Sequence, residues 1–208
     1  MPARHLARRQ LWRLAGVAFG LAATRAALAQ APQAVRIRAT IDAVHAGSLD
    51  LTTRTGDKVT VAFASDTPIN AVAATTLEDI KPGSFIGTAA MPRADGTQRA
   101  LEVHVFPESM RGTGEGHRPF DLQPQSTMTN GTVGAVTGSV GRTLTVSYKG
   151  GEKTVVVPPG TPIVTFEPGS TAMLVPGAHV IVFATQAGDG KVTATRIAVG
   201  KNGLVPPM

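Results

Sequence analysis

Apolar and polar residues alternate with a period of two in the first segment after residue 30. The apolar positions of this segment are Val35, Ile37, Ala39, Ile41 and Ala43. Such alternation is typical of a β-strand with one buried face. The same pattern recurs at residues 49–53 and 59–63, on either side of the turn pair Gly56-Asp57. The three segments predict an antiparallel meander.

A short helical turn and two more strands are predicted after the meander. Thr76 is an N-cap candidate for residues 76–80, and Pro82 stops that turn. Strands are expected at residues 84–90 and 99–106. This element order is typical of a five-stranded OB-type barrel, although a small β-sandwich or half-barrel would give a similar pattern. We favour the barrel because closure covers edge strands.

The second part of the chain repeats the first. Residues 40–44 align with residues 132–136 at an offset of 92, and later matches keep an offset of 94. The later matches are 66–69 with 160–163, 82–83 with 176–177, 95–96 with 189–190, and Val103 and Val105 with Ile197 and Val199. Matches in one order at a constant spacing indicate a tandem duplication.

The fold predicted from these patterns is all-β, a tandem pair of small five-stranded OB-like β-barrels that follows a cleaved signal peptide. The predicted boundaries are 1–29 for the signal peptide, 30–106 for the first barrel repeat, 107–131 for a Gly-rich charged linker and 132–208 for the second barrel repeat. Each copy is small for a single stable core, so we expect the two copies to pack together.

The first 29 residues have the three parts of a secretory leader. A basic start is followed by the uncharged run 14–24 and then by Ala27-Leu28-Ala29, whose small residues suit signal peptidase. We expect cleavage between Ala29 and Gln30. A run of eleven residues is too short to cross a hydrocarbon core of about 30 Å.

The leader also indicates where the protein functions. Arg8 and Arg9 precede a polar residue, two apolar residues and a basic one, as in the twin-arginine export signal, and the general secretory route is the alternative. We expect a periplasmic or secreted bacterial protein without a transmembrane span in its mature chain. The absence of cysteine is compatible with an oxidising compartment.

The charge of the chain is concentrated in this leader. The sequence has 20 Lys and Arg against 14 Asp and Glu, a formal net charge of +6. Five of the 20 basic residues lie in the first 29 positions, so the rest of the chain is nearly neutral. Aromatic residues make up only 4% of the sequence. Nucleic acid is therefore not expected as a partner.

The repeat resembles an uncharacterised family of β-domains, a domain of unknown function found in exported bacterial proteins. The resemblance lies in the Asp-Gly turns, the strand Lys191–Ile197 and the linker stretch 111–124. It implies no activity. Some relatives carry the label of metal-transporter permease, a function that needs spanning helices which this sequence lacks.

Motifs for cofactors and catalysis are absent from the sequence. Under the repeat alignment none of the mature histidines (His45, His104, His117 and His179) is duplicated, which argues against a metal site built into the repeat. His104 alternates with Glu102 on the polar side of a strand, where we expect solvent. No phosphate-binding loop or nucleophile elbow is present. We expect no cofactor.

The linker 107–131 is the segment most suited to binding. It brings charged side chains together among glycines: Arg111, Glu115, His117, Arg118 and Asp121. Long loops in compact proteins are often functional. The same residues would also suit a structural tether whose charges pair with one another.

Two functions are compatible with these patterns. The favoured one is an exported, non-enzymatic binding or scaffold module whose partner is an unknown periplasmic protein, peptide or saccharide. The alternative is a periplasmic metal-associated protein or hydrolase that uses the linker residues Glu115, His117 and Asp121. Convergence of the linker residues in a pocket would favour a functional linker over a structural one.

Overall fold

The computed structural model of the chain describes residues 31–137 and 142–208. Within them the chain forms strands connected by turns and single 3-10 turns, so the all-β prediction is confirmed. The predicted leader 1–29, its cleavage site at Ala29 and Gln30, and the Arg8-Arg9 pair lie outside the described residues. In the described ranges no helix is long and apolar enough to span a membrane.

Thirteen strands form one hydrogen-bonded sheet in the described residues. They are β1 Gln33–His45, β2 Ser48–Thr53, β3 Lys58–Ala62, β4 Ile69–Ala74, β5 Phe85–Pro92, β6 Gln98–Val105, β7 Gly116–Pro119, β8 Thr127–Thr137, β9 Thr143–Tyr148, β10 Gly151–Val156, β11 Ile163–Pro168, β12 His179–Gln186 and β13 Val192–Gly200. Short 3-10 turns lie at Leu77–Asp79, Glu108–Met110, Thr171–Met173 and Lys201–Gly203. Strands β4, β7 and β11 were not among the predicted strands, and β8 begins within the predicted linker.

The sheet has two outer groups of five strands joined through β4 and β11. Its order is β10-β9-β8-β5-β6-β11-β4-β13-β12-β1-β2-β3, and β7 pairs with β8 beside this series. Short parallel contacts of β10 with β6 and of β13 with β3 connect the ends of each outer group. We call β1, β2, β3, β12 and β13 the first ring, and β5, β6, β8, β9 and β10 the second ring.

Both rings take strands from both halves of the sequence. The prediction placed five strands of one barrel within 30–106 and five of the other within 132–208. The sheet instead pairs β1 with β12 and β5 with β8, so the two halves exchange their last hairpins. The physical reason is the position of β4. This strand follows β3 of the first ring and pairs with β11 in the centre of the sheet, so the next strand, β5, lies in the second ring. The closed OB-like barrel remains a prediction.

The pairing pattern has an internal two-fold symmetry. Exchanging β1–β6 with β8–β13 reverses the strand order and leaves it otherwise unchanged. The registers agree with this, since Thr40 lies opposite His179 in one ring and Thr132 lies opposite Phe85 in the other. Val72 on β4 lies opposite Phe166 on β11 at the centre. The tandem duplication remains a prediction, and this symmetry supports it.

Each ring encloses an apolar cluster, and a third cluster lies between the rings. Ile41 in the first ring and its repeat partner Val133 in the second are both only 1% exposed. The apolar faces of these strands therefore point inward, as the alternation predicted. The central cluster includes Phe85, Phe106 and Phe166. It packs between the two rings and forms part of the cleft described below.

The strand exchange predicts how a cut chain behaves. We expect a protein cut at a protease site inserted after Gly112, in an exposed turn, to remain a complex of its two pieces. Each piece supplies strands to both rings, so separation would break the hydrogen bonds of β1 with β12 and of β5 with β8. Size-exclusion chromatography with mass detection, in native buffer and in urea, measures this. Pieces that separate in native buffer at micromolar concentration would show that the rings do not depend on exchanged strands.

Candidate functional site

A cleft of about 160 Å³ lies between the two rings beneath the linker. Its walls come from strands of both rings, from β11 and from linker residues 113–120. Four phenylalanines line it, Phe106, Phe120, Phe166 and Phe183. The rings of Phe106 and Phe166 stack with their centroids 5.5 Å apart. The cleft thus has an aromatic wall that suits an apolar ligand group.

A buried acid–histidine pair on β6 lies at the floor of the cleft. Glu102 is 0% exposed and His104 is 3% exposed, so the expectation that both are solvated is wrong. One carboxylate oxygen of Glu102 accepts a hydrogen bond from the Ala89 main-chain N–H at 2.9 Å. The other lies 3.1 Å from Nδ1 of His104. The intervening Val103 faces the interior of the second ring, so both faces of β6 are covered by protein.

Gly87 and Asn130 complete this floor. Gly87 lies between His104 and Asn130 in the register of three adjacent strands. A Cβ atom at Gly87 would overlap Nε2 of His104 and stand 2.6 Å from Oδ1 of Asn130. The missing side chain therefore lets His104 and Asn130 lie above the strand. Asn130 donates from Nδ2 to the Thr113 carbonyl at 2.9 Å, whereas its Oδ1 is buried without a partner in the described structure.

Three arginines, Arg36, Arg118 and Arg196, give the cleft a positive charge, and none of its lining residues is Asp or Glu. The Arg196 guanidinium lies 4.0 Å above the Phe183 ring, which Arg36 also approaches at 5.3 Å. Over residues 31–137 and 142–208, neither Arg118 nor Arg196 forms an ion pair with a carboxylate. These two cations are thus free to bind an anion.

Burial disfavours the charged form of two of these cations, Arg36 and Arg196. It lowers the pKa of Arg196, and the nearby charge of Arg36 lowers that pKa further. The pKa of Arg36 is also lowered by burial, although Asp121 opposes this shift. A lowered pKa of a cation means that its charged form lacks solvation. An anion in the cleft would supply that missing stabilisation.

Asp121 and Phe120 attach the linker to β1. Asp121 accepts hydrogen bonds from Arg36 at 2.5 Å and from Arg38 at 2.8 Å. The Arg36 guanidinium also lies 4.6 Å from the centre of the Phe120 ring. This contact holds the linker over the cleft and fixes the position of Arg36 within it.

The other predicted linker residues lie apart from one another. Arg111 donates to the Glu108 carboxylate and to the Gly83 carbonyl. Glu115 accepts a hydrogen bond from the Lys149 main-chain N–H at 2.9 Å. The contacts of Arg111 join the linker to its own first residues and to Gly83, and the contact of Glu115 joins it to Lys149. Of the five predicted residues, only Arg118 lines the cleft, with one guanidinium nitrogen donating to the Gly114 carbonyl at 2.7 Å.

His117 is held outside the cleft. Its Nδ1 lies 2.8 Å from the Thr129 hydroxyl, and its ring stacks on Tyr148 with centroids 6.2 Å apart. Burial lowers the pKa of His117, and the charge of Lys153 adds to this shift. In the part of the chain that the structure describes, no three His, Asp or Glu side chains are grouped as metal ligands would be.

Comparisons of the chain with protein-family models, with curated proteins and with solved structures found no match.

The linker contact at Asp121 predicts a pH-dependent stability. The Arg38 hydrogen bond and the charges of Arg36 and Arg38 hold the pKa of Asp121 below its usual value. The stabilisation is therefore present above the unfolded-state pKa of about 3.9 and is lost as the pH falls through the lower folded-state value. Because the Asp121 side chain is 52% exposed, we expect Asp121→Asn to cost at most about 1 kcal/mol at pH 7.

Thermal melting of the wild type and of Asp121→Asn at pH 7 and pH 2.5 measures this difference. We expect the melting temperatures to differ by a few degrees at pH 7 and to converge at pH 2.5. Asp66→Asn, at an exposed turn residue, is the control and should melt like the wild type at both values. An equal deficit of Asp121→Asn at both pH values would mean that the carboxylate charge is not what holds the linker.

Proposed function

We propose that this chain is an exported, non-enzymatic binding module whose cleft takes a small anionic ligand with an apolar body. The observation that carries the proposal is Arg196. Its guanidinium is partly buried against Phe183 and has no carboxylate partner among the described residues. A desolvated arginine without a counter-charge in a cleft is well suited to bind a carboxylate or a phosphate.

The surrounding charges favour the same ligand. Arg38 and Arg54 do not line the cleft, and each donates to a main-chain oxygen of the segment 206–208. Asp121 is the acid that pairs with Arg36 and Arg38. Glu102, buried beside His104 at the floor, is a second nearby acid. The arginines outnumber these two acids, and an anion would reduce their mutual repulsion. Low local polarity strengthens this attraction relative to bulk water.

The size and lining of the cleft limit the apolar part of the ligand. A dry cavity of roughly 150 Å³ can accept one benzene ring, and this cleft measures about 160 Å³. Phe106, Phe166 and Phe183 offer ring faces and edges on its walls. The proposed ligand class is therefore a single-ring or similarly compact organic acid.

The alternative of a hydrolase or metal-associated protein has less support. It required Glu115, His117 and Asp121 to act together. These residues instead contact the Lys149 main chain, Thr129 and the two arginines of β1, respectively. The arrangement favours a linker that covers and shapes a binding cleft.

We extend the proposal to the origin and the location of the protein. The leader 1–29 would direct the chain to the periplasm or the medium, through either the twin-arginine or the general secretory route. Each ring would be an OB-like barrel produced by tandem duplication. The closing contacts β10 with β6 and β13 with β3, and the symmetric strand order, support this description.

The ligand proposal is tested with phenylacetate and its neutral counterpart phenylacetamide. We expect phenylacetate to bind more tightly, and Arg196→Gln to weaken phenylacetate by roughly 10- to 100-fold, as for the loss of a charge-assisted hydrogen bond. Titration calorimetry measures both affinities. Arg99→Gln, at an exposed position of β6 outside the cleft, is the matched control and should bind like the wild type. Equal binding of acid and amide, or no binding of either, would refute an anion site.

Export has its own test. Mass spectrometry of protein recovered from the periplasm of an expressing bacterium should show Gln30 as the first residue, because Ala27 and Ala29 satisfy the small-residue preference of signal peptidase. Replacement of both Arg8 and Arg9 by Lys should stop export if the twin-arginine route is used, and unchanged export would identify the general route. An intact Met1 species in the periplasmic fraction would contradict the predicted cleavage.

A further inference from the structure

We propose that the segment 204–208 is a second cover of the cleft, in addition to the linker, and that Met208 on this segment limits the ligand to a single ring. Met208 is then a specificity-determining residue of the binding site. The inference rests on the proposed function, because it concerns the size of the ligand in the same cleft. Its support comes from the path of the segment, from two arginine contacts and from the place of Met208 in the cleft wall.

A tight turn after β13 directs the segment back against the sheet. Residues Lys201–Gly203 form a single 3-10 turn, and the Leu204 N–H donates to the Lys201 carbonyl at 3.0 Å. A Cβ atom at Gly200 would overlap the Leu204 carbonyl oxygen, so this close approach requires glycine. Lys201 Nζ lies 2.6 Å from the Glu167 carboxylate of β11. The start of the segment is thus held beside the central strands.

Two arginines hold the main chain of the segment. Arg38 donates from Nε to the main-chain oxygen of Met208 at 2.6 Å, and Arg54 donates to the main-chain oxygen of Pro206. Hydrogen bonds from a charged donor are stronger than those between neutral groups. The terminal nitrogens of Arg38 also donate to Asp121 of the linker. One side chain therefore joins the linker and the segment 204–208.

The Met208 side chain forms part of the cleft wall. It is only 5% exposed and belongs to the central cluster together with Phe106 and Phe166, which also line the cleft. The other methionine of the wall, Met128, lies on β8 between β5 and β7. Met208 lies on no strand. Its truncation would extend the apolar part of the cleft and leave the arginines of the site in place.

The segment that follows β6 takes a similar course. The repeat offset of 94 matches Met110 with Leu204. Each lies at a 3-10 turn that comes directly after β6 or β13, and each packs against the central cluster. Farther along the chain, linker residues 113–120 and Met208 both reach the cleft. The two covers therefore begin at equivalent places in the symmetric strand order and close the same cleft.

The experiment varies the size of the ligand separately from its charge. The probes are phenylacetate, the two isomers of naphthylacetate, which have a second fused ring, and the amide of each acid. We expect the wild type to bind phenylacetate at least 10-fold more tightly than naphthylacetate, because Met208 occupies the space that the second ring needs. Met208→Ala should strengthen the binding of one naphthylacetate isomer by roughly 10- to 100-fold, as for small changes of size in apolar pockets. Titration calorimetry measures these affinities.

Two control variants separate the wall from packing in general. Met208→Leu nearly keeps the side-chain volume and should keep the preference for one ring. Val72→Ala makes a cavity at a buried residue of the same cluster that does not line the cleft, and it should keep this preference as well. An unchanged preference in Met208→Ala, or an equal change in Val72→Ala, would overturn the inference.

The remaining outcomes are also distinct. Acid against amide tests the proposed function, and one ring against two tests Met208 in acids and amides alike, so either can fail alone. Binding of no probe by the wild type and by Met208→Ala would overturn both. If Met208→Ala does not fold, methionine-methyl NMR of the unaltered protein decides. Phenylacetate should shift the Met208 signal and leave that of Met91, which does not line the cleft, in place. An unmoved Met208 signal would overturn the inference.

Discussion

Strand pairing between the two halves of the chain is the constraint on which the rest of the structure depends. Strand β1 finds its partner in β12, and β5 finds its partner in β8. Neither ring can complete its hydrogen bonds or enclose its apolar cluster until both halves are present. Most of the stabilising contacts are therefore distant in sequence, which generally slows folding. The same exchange, with β4 and β11 at the centre, holds the two rings in one sheet and so fixes the walls of the cleft.

The alternation of residues predicted most strands but not the connection between the rings. Ile69–Ala74 shows no clean alternation, and Ile163–Pro168 alternates only over a few residues, with Val164 and Phe166 buried. Both also follow a Thr-Pro pair, which reads as a loop. The exchange of hairpins could not be predicted either, because the alternation of residues does not specify which strands pair. The same residues point inward whether β5 and β6 pair with the first three strands of their own half or with those of the other half.

The candidate site was partly visible in the sequence, and its hidden part has a physical explanation. Arg118 was identified by its place in a charged, glycine-rich linker. Glu102 and His104 were placed in solvent because polar residues that alternate with apolar ones normally face water. Here that face of β6 meets the linker and the other ring. Asn130 and Gly87 had no distinctive pattern. A usable signal was the repeat itself, since His104 is polar where β13 carries Ala198.

The two halves contribute different chemistry to one cleft. Phe166, at the centre of the symmetric pairing, lines the cleft, so a ligand there lies close to the position where the halves meet. A symmetric pair of surfaces would present the same groups twice to an asymmetric molecule. Instead, Glu102 on β6 and Arg196 on β13 occupy equivalent register positions and carry opposite charges. The second ring thus provides a polar floor around Glu102 and His104, and the first ring provides Arg36 and Arg196. This division suits a ligand whose two ends differ in charge, and a symmetric backbone can provide it because only side chains need to differ.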